Sequence, residues 1–144
     1  MKLVTLLLAL IAGGILVGLL LSRETAKPGV PPVFWVRFDK AVEAAKSEGK
    51  PLVLVFSARW CPLCHVMKKR VYPTADVAAV KDRFVWADLD IEESANLGAV
   101  AHFEVKGLPA IFVLGRNQEI LARTDGNHTA ASFSEWLRQN GGNL

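Results

Sequence analysis

A single α/β domain, with a mixed central sheet flanked by helices, is the fold class this 144-residue chain predicts. Three observations carry that reading. Short apolar runs alternate with amphipathic stretches through most of the chain, which is the pattern of strands covered by helices. Near the C-terminus two apolar runs are separated only by Gly115-Arg116-Asn117, which makes an antiparallel hairpin beside otherwise crossover-linked strands. The only two cysteines, Cys61 and Cys64, fall where an apolar strand gives way to a charged, helix-favouring run.

The elements follow in order. Phe38 to Glu48 places Phe38, Ala41, Val42 and Ala45 on one helical side and stops at Gly49. Pro51 to Phe56 is continuous and rich in Val and Leu, as expected of a strand buried on both faces. A helix is predicted from Cys61 through Val66, Met67 and Val71, ended or kinked by Pro73, with a short helix from Ala75 to Asp82. Phe84 to Asp90 reads as a second strand. Glu92 to Phe103 reads as a helix whose first turn is acidic. Ala110 to Leu114 and Glu119 to Arg123 are the hairpin strands, and Thr129 to Asn140 closes the chain as a helix with Phe133, Trp136 and Leu137 on its apolar side. The order is α-β-α-β-α-β-β-α. No internal repeat or low-complexity tract interrupts it.

Ahead of this domain, Leu3 to Leu21 forms 19 uncharged residues, apolar but for Thr5. At about 1.5 Å per residue such a helix just crosses a bilayer core of about 30 Å. Residues 1–21 are therefore expected to be an N-terminal transmembrane anchor. A cleaved signal sequence is the alternative, disfavoured by the length of the run and by Leu20-Leu21-Ser22 as a cleavage site. Residues 22–32 (SRETAKPGVPP) read as a tether, and 33–144 as the domain. Gly14 and Gly18 have small-xxx-small spacing, a pattern for helix pairing that glycine-rich spans also show without it. A short basic N-terminus before a long apolar run resembles an export signal. The domain is accordingly expected outside the cytoplasm, on an inner membrane facing the periplasm.

Net charge is +3, of which +1 remains once Lys2, Arg23, Lys27 and Glu24 are set aside with the anchor region. That balance excludes a basic nucleic-acid-binding surface as the main business of the chain. Two cysteines cannot staple a small secreted scaffold, so the pair is chemical, a ligand set or one structural bridge. At the start of a helix, unpaired N–H groups and the dipole favour a thiolate on the first sulfur, with Arg59, Lys68 and Lys69 nearby to add positive charge. Pro62 suits the first helical turn, where its missing N–H is not needed.

Three features together resemble the thioredoxin superfamily: Ser57-Ala58-Arg59-Trp60-Cys61-Pro62-Leu63-Cys64 after a strand, Gly107-Leu108-Pro109 just before another, and the element order across 33–144. Within it the chain is most similar to the periplasmic C-terminal domain of the thiol:disulfide interchange protein DsbD and related bacterial thioredoxin-like domains. The resemblance rests there on Gly-Leu-Pro, on Cys64-His65-Val66-Met67 and on Val85 to Asp90. It implies a thiol-disulfide oxidoreductase acting on protein thiols and disulfides, with no cofactor beyond the redox-active pair and electrons drawn from a membrane donor. Cys61 is then the attacking, partly exposed thiolate and Cys64 the buried resolving thiol. Pro109 is a cis-proline, and Leu108 offers backbone groups to an extended substrate. Trp60 is a lid over the disulfide, or else plain core. His65 either raises the potential near the sulfurs or lies on the helix flank.

The chain departs from the pattern at one position. Such domains often bury a carboxylate six residues before the first cysteine, and here that residue is Val55. Asp88 is expected to take part of the proton-transfer role, against the alternative of a solvated strand-end aspartate. The Pro-Leu dipeptide is nearer the Cys-Pro-x-Cys of DsbA and glutaredoxins than the Gly-Pro of reducing thioredoxins, which keeps a disulfide-forming oxidant as an alternative. Two rivals come from other classes. Cys61-Pro62-Leu63-Cys64-His65 is a literal c-type haem attachment pattern, for which Met67, His102 and His128 are the axial-ligand types present. Cys61, Cys64 and His65 also suit copper or zinc delivery, though no full four-ligand set is apparent. His102 and His128 are expected at the surface, and Asn127-His128-Thr129 matches a glycosylation sequon.

Overall fold

The computed structural model describes residue 33 and residues 35–141. The anchor and tether expected over 1–32 lie outside these residues. Among the described residues no helix is long and apolar enough to cross a membrane.

Five strands form one mixed sheet in the order β1-β3-β2-β4-β5. They are β1 (Trp35–Val36), β2 (Leu52–Ser57), β3 (Val85–Asp90), β4 (Ala110–Leu114) and β5 (Ile120–Asp125). β3 runs parallel to both β1 and β2, while β4 is antiparallel to β2 and β5 to β4. The helices are α1 (Phe38–Glu48), α2 (Pro62–Val66), α3 (Ala75–Lys81), α4 (Leu97–His102) and α5 (Ala130–Asn140). Gly49, at φ 67° in the left-handed region, ends α1.

Strand alternation builds two cores from the continuous apolar run of β2. Val53 and Val55 face Met67, Tyr72, Val77, Phe133 and Leu137 on one side. Leu52, Leu54 and Phe56 face Ala41, Ala45 and Phe103 on the other. Both layers of helices thus pack on a sheet with no wet face at its centre.

Four elements differ from the sequence expectation. β1 was not foreseen: a two-residue strand gives no periodicity, and it is held by pairing with Trp86 and Ala87. The helix after the cysteines is α-helical only to Val66 and continues as a π-turn segment, Met67–Val71, with Tyr72 N–H donating to Met67 O at 3.0 Å. The wider turn directs Met67, Val71 and Tyr72 all inward, where each is buried. The helix expected over 92–103 is a 3-10 turn, Ser94–Asn96, followed by the short α4. Its first residues instead form a turn in which Asp90 accepts from the Glu92 N–H at 3.0 Å and its backbone oxygen from Asn96 Nδ2 at 2.8 Å. Thr129 stands outside α5 as its cap. Its hydroxyl accepts from the Ser132 N–H at 3.1 Å, and Ser132 Oγ accepts from the Thr129 N–H at 3.1 Å.

Candidate active site

β2 ends at Ser57, and the loop Ala58 to Trp60 delivers Cys61 to the N-cap of α2. Pro62 occupies the first turn, as its fixed φ and absent donor allow. The two cysteines are joined as a disulfide. The Cys64 N–H donates to Cys61 Sγ at 3.1 Å, a bond that would favour negative charge on that sulfur after reduction.

Ala58, Cys61 and Cys64 form a small apolar cluster against which Ile91 and Leu108 pack. Leu108–Pro109 is a cis peptide. Pro109 is buried, and its oxygen accepts from the Gly126 N–H at 2.9 Å. A groove of about 270 Å³ opens over the first cysteine, with Trp60, Cys61, Pro62 and Leu63 on one bank and Ile91 and Val105 to Leu108 on the other. Trp60 is 63% exposed there, which excludes the core position. Leu63 is likewise exposed.

Cys61 differs from expectation: it is only 3% exposed, because Leu108 and Ile91 cover it. Cys64 is buried as expected. The cationic neighbours also differ. Arg59 lies 3.9 Å from Asp90 and 4.0 Å from Glu92, and Lys68 is engaged with Asp88 rather than with Cys61. His65 is exposed, with Nε2 bonded to Arg59 O at 2.7 Å, so it clamps the active-site loop.

Asp88 is not a free surface carboxylate. It sits on β3 opposite Val55, accepts from Ser57 Oγ at 2.7 Å and pairs with Lys68. Ser57 is a site residue to which sequence reasoning gave no role, and Lys68, expected to favour the Cys61 thiolate, instead holds Asp88 and Ser57. Two signals were present: Ser57 shares a strand face with Val55, and Lys68 stands four residues after Cys64 on the same helical side. Among the described residues the buried Tyr72 hydroxyl has no hydrogen-bond partner, and burial, with the Asp88 charge second, pushes its pKa up.

His102 is exposed, but His128 is half-buried against Phe133 and bonded through Nε2 to Thr124 Oγ1 at 2.8 Å. Burial lowers its pKa. Among the described residues no three His, Cys, Asp or Glu side chains converge as a metal site.

Comparison with known proteins matches the same part of the chain. The family model for the thioredoxin-like domain matches residues 38–141. The thiol:disulfide interchange protein DsbD of Pseudoalteromonas atlantica is 28% identical over 101 residues, covering 67% of this chain and 17% of that protein. The reduced C-terminal domain of Neisseria meningitidis DsbD is 27% identical, with a TM-score of 0.61 over 71% of this chain and 92% of that one. A thioredoxin from Thermus thermophilus superposes with a TM-score of 0.68 at 24% identity, over 76% and 87% of the two chains, a likeness of fold. The chain thus spans less than a fifth of the length of the DsbD it matches. On the family match, the mixed sheet and the Cys-x-x-Cys pair at the head of α2, this chain belongs to the thioredoxin-like domain family.

Proposed function

We propose that this chain is a thiol-disulfide oxidoreductase that reduces disulfides in partner proteins, tethered by residues 1–21 to the inner membrane with its domain on the periplasmic side. The observation that carries the reading is the Cys61–Cys64 disulfide at the start of α2, facing an apolar groove walled by Trp60 and by Leu108 before the cis-proline. After reduction, the Cys61 thiolate attacks a partner disulfide and one partner sulfur leaves. Cys64 then attacks Cys61 Sγ, the second partner sulfur leaves, and two electrons have passed to the partner. The groove holds an extended segment of that partner beside the cysteines. DsbD, to which the chain is similar, is named for thiol:disulfide interchange. That similarity supports thiol-disulfide exchange; the reducing direction, fed by a membrane electron donor, is the one the resemblance of the sequence implies.

The test is a trapping experiment. In Cys64→Ser the resolving thiol is gone, so a mixed disulfide between Cys61 and a partner should accumulate on non-reducing gels and vanish with dithiothreitol. Cys61→Ser should trap nothing. Equal trapping by both variants, or by neither, contradicts the reading.

A further inference from the structure

Cys64 lies outside the groove that Cys61 lines. It borders instead a cavity of about 110 Å³, shared with Ser57, Lys68 and Asp88. That volume exceeds the ~10–15 Å³ that one water needs. Three polar side chains are locked together at its wall. Ser57 Oγ donates to Asp88 Oδ1 at 2.7 Å, Lys68 Nζ donates to Ser57 Oγ at 3.0 Å, and Lys68 Nζ donates to Asp88 Oδ2 at 2.5 Å. Asp88 also lines a second cleft, of about 480 Å³, on the side of α1. Asp88 therefore lines both the cavity beside the resolving cysteine, where its carboxylate meets Ser57 and Lys68, and a second cleft.

We propose that Asp88 receives the Cys64 proton through water in this cavity and releases it to solvent, with Ser57 and Lys68 as its positioning residues. The inference rests on reading Cys61 and Cys64 as the exchange pair. In the resolving step the Cys64 S–H proton passes to the Asp88 carboxylate. The resulting thiolate forms the Cys64–Cys61 bond, and the Cys61–partner bond breaks with its electron pair on the partner sulfur. Asp88 then gives its proton to solvent. A carboxylate on β3 thereby serves the face on which Val55 of β2 offers none.

Other charged and titratable groups surround the relay. Arg59, His65 and Asp90 line the cavity beside Cys64. Arg37, Asp39 and Glu93 line the cleft. The Tyr72 hydroxyl lies within reach of the Asp88 charge from the π-turn segment. The variants are therefore chosen to alter only the three relay residues.

The test follows a single turnover of the reduced chain with oxidised glutathione, acid-quenched and read by mass. Glutathione on Cys61 appears in the first step and is lost in the second. From about pH 6 to about pH 9, Asp88→Asn should slow the second step at least about tenfold at the neutral end and converge with the unaltered chain at the alkaline end. The first step should be unchanged. Lys68→Met should displace the pH profile of the second step, and Lys68→Arg should restore it. Ser57→Ala gives an independent reading should Asp88→Asn not fold: a slowed second step at neutral pH is expected there too. Superimposable second-step profiles for all these variants and the unaltered chain would overturn the relay while leaving the exchange reading standing. Absence of any glutathione adduct on Cys61 in the unaltered chain would overturn both.

Discussion

Each side chain around the disulfide is placed by a local rule. Cys61 is an N-cap whose sulfur accepts a backbone N–H, and Pro62 follows where a helix tolerates it. Those positions were legible, because a strand, two cysteines and a proline each carry a sequence signal. The role of Ser57 and the true partner of Lys68 were not, because both depend on a carboxylate 20 residues or more away on another strand. Trp60 is set by its loop rather than by packing. Trp60→Ala should weaken capture of a peptide disulfide, raising KM severalfold, while stability shifts by no more than about 0.5 kcal/mol. Insulin-reduction kinetics beside chemical denaturation would separate the two. His128 offers a pH test. Its folded-state pKa lies below the unfolded value, so the neutral form is favoured by folding. Its contribution is present above about pH 6.5 and is lost as the pH falls through the lower folded value. His128→Gln should flatten the acid limb of the stability profile measured by urea titration at successive pH values.

At the scale of elements, strands and long helices were readable and short irregular pieces were not. β2 and β4 announce themselves as apolar runs because both of their faces are covered. β1 is too short to have a period, and the π-turn after Val66 leaves no composition signal; both are fixed by what they pack against. The segment expected as one helix over 92–103 fails because Asp90 and Asn96 bind backbone groups of the turn. Such side chains compete with helical bonding. Thr129, noticed in the sequence as part of a sequon, acts in the structure as a capping-box residue. Thr129→Ala should cost about 1 kcal/mol, read from the shift in denaturation midpoint at unchanged slope. Phe56→Ala removes a fully buried ring that meets Phe103 and Phe112 and should cost about 3–5 kcal/mol by the same measurement.

Across the whole molecule, one sheet separates two packed cores, and the disulfide stands at the C-terminal end of β2 where the layers meet the surface. This is where an open α/β sheet places its chemistry, at the ends of its parallel strands. The fold class was legible because alternation and hairpin are global patterns. The burial of Cys61 was not, since it depends on Leu108 and Ile91 arriving from distant loops. The account predicts that the full chain sediments with membranes and resists extraction by alkaline carbonate, whereas a chain lacking residues 1–32 stays in the supernatant. The most direct test of the central claim is an equilibrium redox titration of Cys61–Cys64 in dithiothreitol or glutathione buffers, quenched with a maleimide and read by mass. A reversible two-electron transition, with both cysteines labelled together and a potential nearer the about −270 mV of thioredoxin than the about −120 mV of DsbA, is the result predicted. A pair that fails to cycle would contradict thiol-disulfide exchange, and a potential near the DsbA value would contradict the reducing direction.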